Sequence, residues 1–64
     1  MKCNIGYIRK SKGLQQKFVA KQIGISPEHL SHIEHNKSEA SAGILFKIAK
    51  VLDCKVDDLY TLDE

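Results

Sequence analysis

The densest chemistry in the chain lies in GISPEHLSHIEHNK, residues 24 to 37. It holds all three histidines, the single proline and two of the glutamates. His29, His32 and His35 recur every three residues, which spreads them over an arc of roughly 120° on a helix turning about 100° per residue. Two histidines spaced i,i+3 can hold a metal ion, but no carboxylate or cysteine is evidently placed to complete a site. Solvent-facing side chains are the plainer use of the three, and their protonation would add cations to one face. Glu34 poses the opposite problem, because it sits between Ile33 and His35 close to the apolar stripe of Leu30 and Ile33. Catalysis has no support: the chain has no nucleophile elbow, no phosphate-cradling glycine loop and no metal-ligand cluster. No enzyme activity and no cofactor are expected.

Bulk properties narrow the classes further. Sixty-four residues make one domain, which buries only about 60% of its unfolded surface and leaves little room for an enclosed substrate cavity. A composition of 42% hydrophobic and 28% charged residues is that of an ordinary soluble globular protein. No apolar run approaches the ~18 residues of a membrane span. The opening MKCNIGYIRKSK lacks the apolar core of a secretory signal, so a cytoplasmic protein is the expectation. Cys3 and Cys54 read as two half-buried small hydrophobes, with a disulfide or redox role possible but unsupported.

The net charge of +2 hides a polarised distribution. Residues 1 to 37 carry seven Lys or Arg against Glu28 and Glu34, a net +5. Residues 38 to 64 carry three Lys against six acidic groups, a net −3. A basic first half suits an anionic polymer while the second half faces elsewhere; an ordinary solvated surface is the competing reading.

Several elements must position these groups. β-Branched alternation is absent and Pro27 stands alone, so the chain reads as all-α. A first helix, about residues 3 to 12, sets Ile5 and Ile8 on one face. Gly13 can cap it in the left-handed region, with Leu14 folding back as its apolar partner. A second helix, about 15 to 23, buries Val19 and Ile23 with Ala20 beside them. Gly24 supplies a tight break and Ile25 drops toward the core. Ser26 then caps a third helix with Pro27 at its first position. That helix ends near His35, where Asn36 makes a left-handed stop. Ser41 caps a fourth helix to about Asp53, carrying Leu45, Ile48 and Leu52, its start weakened by Gly43. A short fifth helix, about 55 to 61, offers Val56 and Leu59, with Asp57 and Asp58 at its positive end.

A short helix, a glycine turn and a sharply capped second helix make a helix-turn-helix, with Ala20 and Gly24 at the packing and turn positions. The wider stretch GLQQKFVAKQIGISPEHLSHIEHNK, followed by LFKIAKVLDCKVDDLY, resembles the XRE family of DNA-binding domains, the phage Cro and repressor type. The likeness runs from about Ile5 to Tyr60. Its marks here are Leu14, Gln16, Ala20, Gly24, Ile33-Glu34, Lys37, Ile48-Ala49 and Asp58-Leu59-Tyr60. It implies a compact five-helix, lambda-repressor-like domain over 1–64, with its helix-turn-helix core at about 15–35.

The resemblance also implies roles. Pro27, Glu28 and His32 fall where the family faces base edges, with Ser26 and Ser31 beside them. Gln16 falls at a phosphate contact with Lys17 next to it, and His35, Asn36 and Lys37 fall where the family grips the backbone. Arg9 and Glu34 fall where many members form an internal ion pair. His32 can donate to guanine N7 or O6, and Glu28 can accept from cytosine N4 or simply favour the helix N-terminus. Pro27 can touch a thymine methyl or sugar, or serve only to start the helix. Four departures affect details of capping and backbone contact: Gln15 in place of a small cap, His35-Asn36 in place of Asn-Gly, Ala42-Gly43 opening the fourth helix, and Lys55 where a capping serine is common.

The expected function is sequence-specific transcriptional regulation, as a repressor binding a pseudo-palindromic operator as a homodimer. The partner is double-stranded DNA, with no membrane and no small-molecule substrate. The dimer surface is expected near Val56, Tyr60 and Leu62, unless Tyr60 is buried within the monomer. The alternative is an antitoxin or protein-interaction module on the same fold. Steep loss of DNA affinity with salt separates the two.

Overall fold

The computed structural model describes residues 1 to 62. Its elements are β1 (Lys2–Cys3), α1 (Ile5–Ser11), α2 (Gln16–Ile23), α3 (Pro27–Glu34), α4 (Ala42–Leu52), a 3-10 turn at Val56–Asp58, and β2 (Tyr60–Thr61). Four helices pack around one core of Ile5, Val19, Ala20, Ile23, Leu30, Ile33, Ile48, Ala49, Leu52 and Leu59. Helices α2, α3 and α4 each give this core residues three or four apart, and α1 buries Ile5 with Arg9 four positions on, which is why each reads as a one-sided stripe.

The breaks follow their local chemistry. Gly13 (φ 70°) and Gly24 (φ 82°) both adopt the left-handed conformation that their position after a helix requires. The Leu14 N–H donates to the Arg9 carbonyl at 3.1 Å, folding the chain back over the end of α1. Asn36 stops α3 with φ 58°. Gln15 precedes α2 without a side-chain cap bond, whereas the Ser41 hydroxyl accepts the Ile44 N–H at 3.3 Å at the start of α4.

The count of five helices is corrected. The last segment makes only a single 3-10 turn, in which the Lys55 N–H donates to Asp58 Oδ2 at 3.0 Å. Leu59 is then fully buried and Tyr60–Thr61 extend to pair antiparallel with Lys2–Cys3, in register Lys2↔Thr61 and Cys3↔Tyr60. A helix through residue 61 would break that pairing. The same seam shortens α1 at its start. Asn4 precedes the helix and bridges to the C-terminal segment: its N–H donates to the Leu59 carbonyl at 2.7 Å and its amide to Thr61 Oγ1 at 2.7 Å.

Candidate nucleic-acid interface

The third helix starts sharply because three signals coincide. Ser26 is extended (ψ 153°), its hydroxyl accepts the His29 N–H at 3.0 Å, and Pro27 occupies the first turn, where its missing N–H costs nothing. Leu30 and Ile33 are both fully buried and define the inward direction. With about 100° per residue, Glu28 and His35 project directly outward, flanked by Ser31 and His32, while Pro27 and His29 lie toward the sides. Pro27, Glu28, His29, His32 and His35 are all exposed, and Ser31 is half-buried. Hence α3 presents a short polar edge to solvent with its apolar edge sunk in the core.

Glu34 lies on the inner flank of α3 and is held there. Arg9 Nε donates to its Oε2 at 2.8 Å and Nη2 to its Oε1 at 3.2 Å, the fork-to-fork geometry a guanidinium makes with a carboxylate. The side chains are only 9% and 5% exposed. Arg9 Nη1 donates to the Leu14 carbonyl at 2.9 Å, and Gln16 Nε2 adds a third donor to the carboxylate at 3.1 Å. The pair therefore joins α1, the turn before α2, α2 and α3. Its neutrality also removes Glu34 as an anion on the edge that α3 shows.

Around this edge, Lys17 and Lys37 are exposed. Asn36 is exposed as well, and its amide donates to the Met1 carbonyl at 2.9 Å, so that it ties the end of α3 to the start of the chain. Gln16, expected at a phosphate, has one amide hydrogen engaged by Glu34 and one left to give. Gly6 was not singled out from the sequence, yet a Cβ there would meet Glu34 Oε1 at 3.1 Å. A glycine inside a helix costs about 1 kcal/mol, and that local cost was the available signal that something approaches it closely.

The helix-turn-helix family model matches residues 5–59. The chain belongs to the helix-turn-helix family. Among curated relatives, this helix-turn-helix protein is 33% identical to an uncharacterized HTH-type transcriptional regulator of Methanocaldococcus jannaschii, over 100% of this chain and 97% of the relative. Among solved structures it is similar to the N-terminal DNA binding domain of SinR from Bacillus subtilis, with TM-score 0.77 and 38% identity over 94% of this chain and 86% of that one. It is also similar to the DNA-binding domain of the P22 C2 repressor, with TM-score 0.79 and 26% identity over 92% and 84%. The XRE-type resemblance read from the sequence is a family membership.

Other chemistry in the helix-turn-helix protein is sparse. Cys3 and Cys54 are free, half-buried thiols. Burial, with Asp58 nearby, pushes the Cys54 thiol up from its ordinary value, and burial beside Cys3 does the same to the Tyr60 phenol. Among the described residues, no three His, Cys, Asp or Glu side chains gather as metal ligands, and no helix is long and apolar enough to cross a membrane.

Proposed function

We propose that this chain is a sequence-specific transcriptional regulator that lays α3 in the major groove of double-stranded DNA. The observation that carries the reading is the exposed polar edge of α3, capped by Ser26 and freed of its inner carboxylate charge by Arg9. Ser26, Pro27, Glu28, Ser31 and His32 are the base-facing set. Gln16, Lys17, His35, Asn36 and Lys37 are the phosphate-facing set. Few of the base-facing groups are donors, so affinity comes chiefly from phosphates and falls steeply with salt.

Such a short reader needs a second subunit. Homodimers place two recognition helices about 34 Å apart on a pseudo-palindromic operator. Val56 and Tyr60 are half-buried and Leu62 is exposed, leaving apolar surface for pairing at the acidic end of the domain. Tyr60 is therefore available to both monomer and dimer. The likeness to the P22 C2 repressor supports repression as the mode of regulation, and the cytoplasm is the compartment we propose for it.

Selection of bound duplexes from a random pool, repeated with His32→Ala, tests the assignment. A recovered motif with two-fold symmetry is the expected result, with preference lost at one base pair per half-site in the variant. Binding that ignores both sequence and salt would favour the protein-interaction module instead.

A further inference from the structure

His35 is distinctive on the exposed edge of α3 because its surroundings fix where its proton sits. Its Nδ1 lies 2.8 Å from the Ser31 carbonyl oxygen, which also receives the His35 backbone N–H at 3.0 Å. A carbonyl oxygen can only accept, so Nδ1 must carry the hydrogen. The neutral ring therefore presents a bare Nε2 lone pair at its other end. His35 is exposed and projects outward beside Glu28 and His32.

We propose that His35 is a proton-gated DNA ligand: Nε2 contacts a backbone phosphate only as part of an imidazolium, so DNA association takes up one proton at this atom. The inference rests on the DNA-binding reading above and adds to it. A phosphate oxygen accepts and cannot donate, so it repels a bare nitrogen. A proton from solvent converts Nε2 into a donor of a charge-assisted hydrogen bond, while Nδ1–H keeps its bond to Ser31. The ring stands at the C-terminal end of α3, where the helix favours a cation. Because the Ser31 bond already orients it, contact costs little side-chain entropy.

The charged groups around this end come from several elements. Along α3 they are His32 and Glu28, since Glu34 is turned inward onto Arg9. The following loop brings Lys37 and Glu39. The bond from Asn36 to the Met1 carbonyl brings the N-terminal residue and Lys2 of β1. The groove beside Asn36 is otherwise lined by Ser38, Ala40, Leu45 and Tyr60. Cations and anions are mixed here, and among the described residues no carboxylate is bonded to the ring, so an arriving phosphate supplies the counter-charge.

The test uses the full chain and a labelled mixed-sequence duplex at fixed low salt, with affinity read by fluorescence anisotropy. Between about pH 8 and pH 6, affinity should rise, approaching tenfold per pH unit at its steepest for one linked proton. His35→Gln, which can donate at any pH, should flatten the profile, while His29→Gln, outside both contact sets, should leave the slope in place. Nitrogen NMR of the free protein at the upper pH should show Nδ1 protonated and Nε2 bare. A slope surviving in His35→Gln, or a flat wild-type profile with DNA still bound, overturns the proposal. No binding at any pH would instead remove the DNA-binding reading, and this proposal with it.

Discussion

Breaking the Arg9–Glu34 pair should cost a large share of the domain's stability, and removing both partners together should not. Arg9→Met leaves a carboxylate only 5% exposed with Gln16 as its remaining donor, and Glu34→Leu leaves a guanidinium 9% exposed with the Leu14 carbonyl as its remaining acceptor. Stranding one buried charge costs about 3–5 kcal/mol, whereas replacing both with apolar side chains is commonly near neutral. Domains gain roughly 0.05–0.15 kcal/mol of stability per residue, or about 3–10 kcal/mol at this length. Each single variant should therefore forfeit between about a third and the whole of the domain's stability. The double variant should return to within about 1–2 kcal/mol of wild type, its Gln16 amide turning toward water. Urea titrations followed by circular dichroism measure all four corners of the cycle. If the single losses are small and simply add in the double variant, the two groups are not coupled, and the clamp beneath α3 is not what holds it.

Two further outcomes are specific. Asp53 ends α4 with φ 54°, a conformation glycine adopts without a Cβ penalty. Asp53→Gly should raise the melting temperature by an amount equivalent to about 0.5–1 kcal/mol, whereas Asn36→Gly should gain little because it also loses the bond to Met1. For pH, the Tyr60 phenol is raised above its ordinary value near 10 by burial and by Cys3, so the folded state holds its proton more tightly than the unfolded chain. That stability is complete below pH 10 and lost as pH climbs past it, so alkaline unfolding monitored by tyrosine absorbance should be shallower in Tyr60→Phe.

Legibility divided along the range of the interactions. The limits of α2, α3 and α4 were readable because Gly24, Ser26-Pro27 and Ser41 each act within one turn of themselves. The strands were not, since two residues carry no period, and β1 exists only because β2 arrives from the far end of the chain. The same long-range pairing cut the final helix to one 3-10 turn: Val56 and Leu59 have helical spacing, but Leu59 spends it on the core while Tyr60 continues as strand. Arg9 and Glu34 are 25 positions apart; no spacing rule links them, and only the family likeness suggested the pair. The third donor, Gln16, and the close approach of Gly6 lay beyond both. Asp53 shows the converse: its site needs positive φ, but the residue there does not announce it as Gly24 does.

The Lys2–Cys3 and Tyr60–Thr61 seam, fastened by Asn4, couples the two extremities of the fold. Two residues per strand are too few to persist alone, so each extremity is ordered by the other. Loss of the first three residues would be felt not only where they were but at Tyr60, which would lose its strand partner and with it a fixed place on the surface proposed above for pairing. For the homodimer proposed above, a trimmed amino end would therefore weaken pairing from the opposite end of the sequence, and it would also release the Asn36 amide from the Met1 carbonyl at the end of α3.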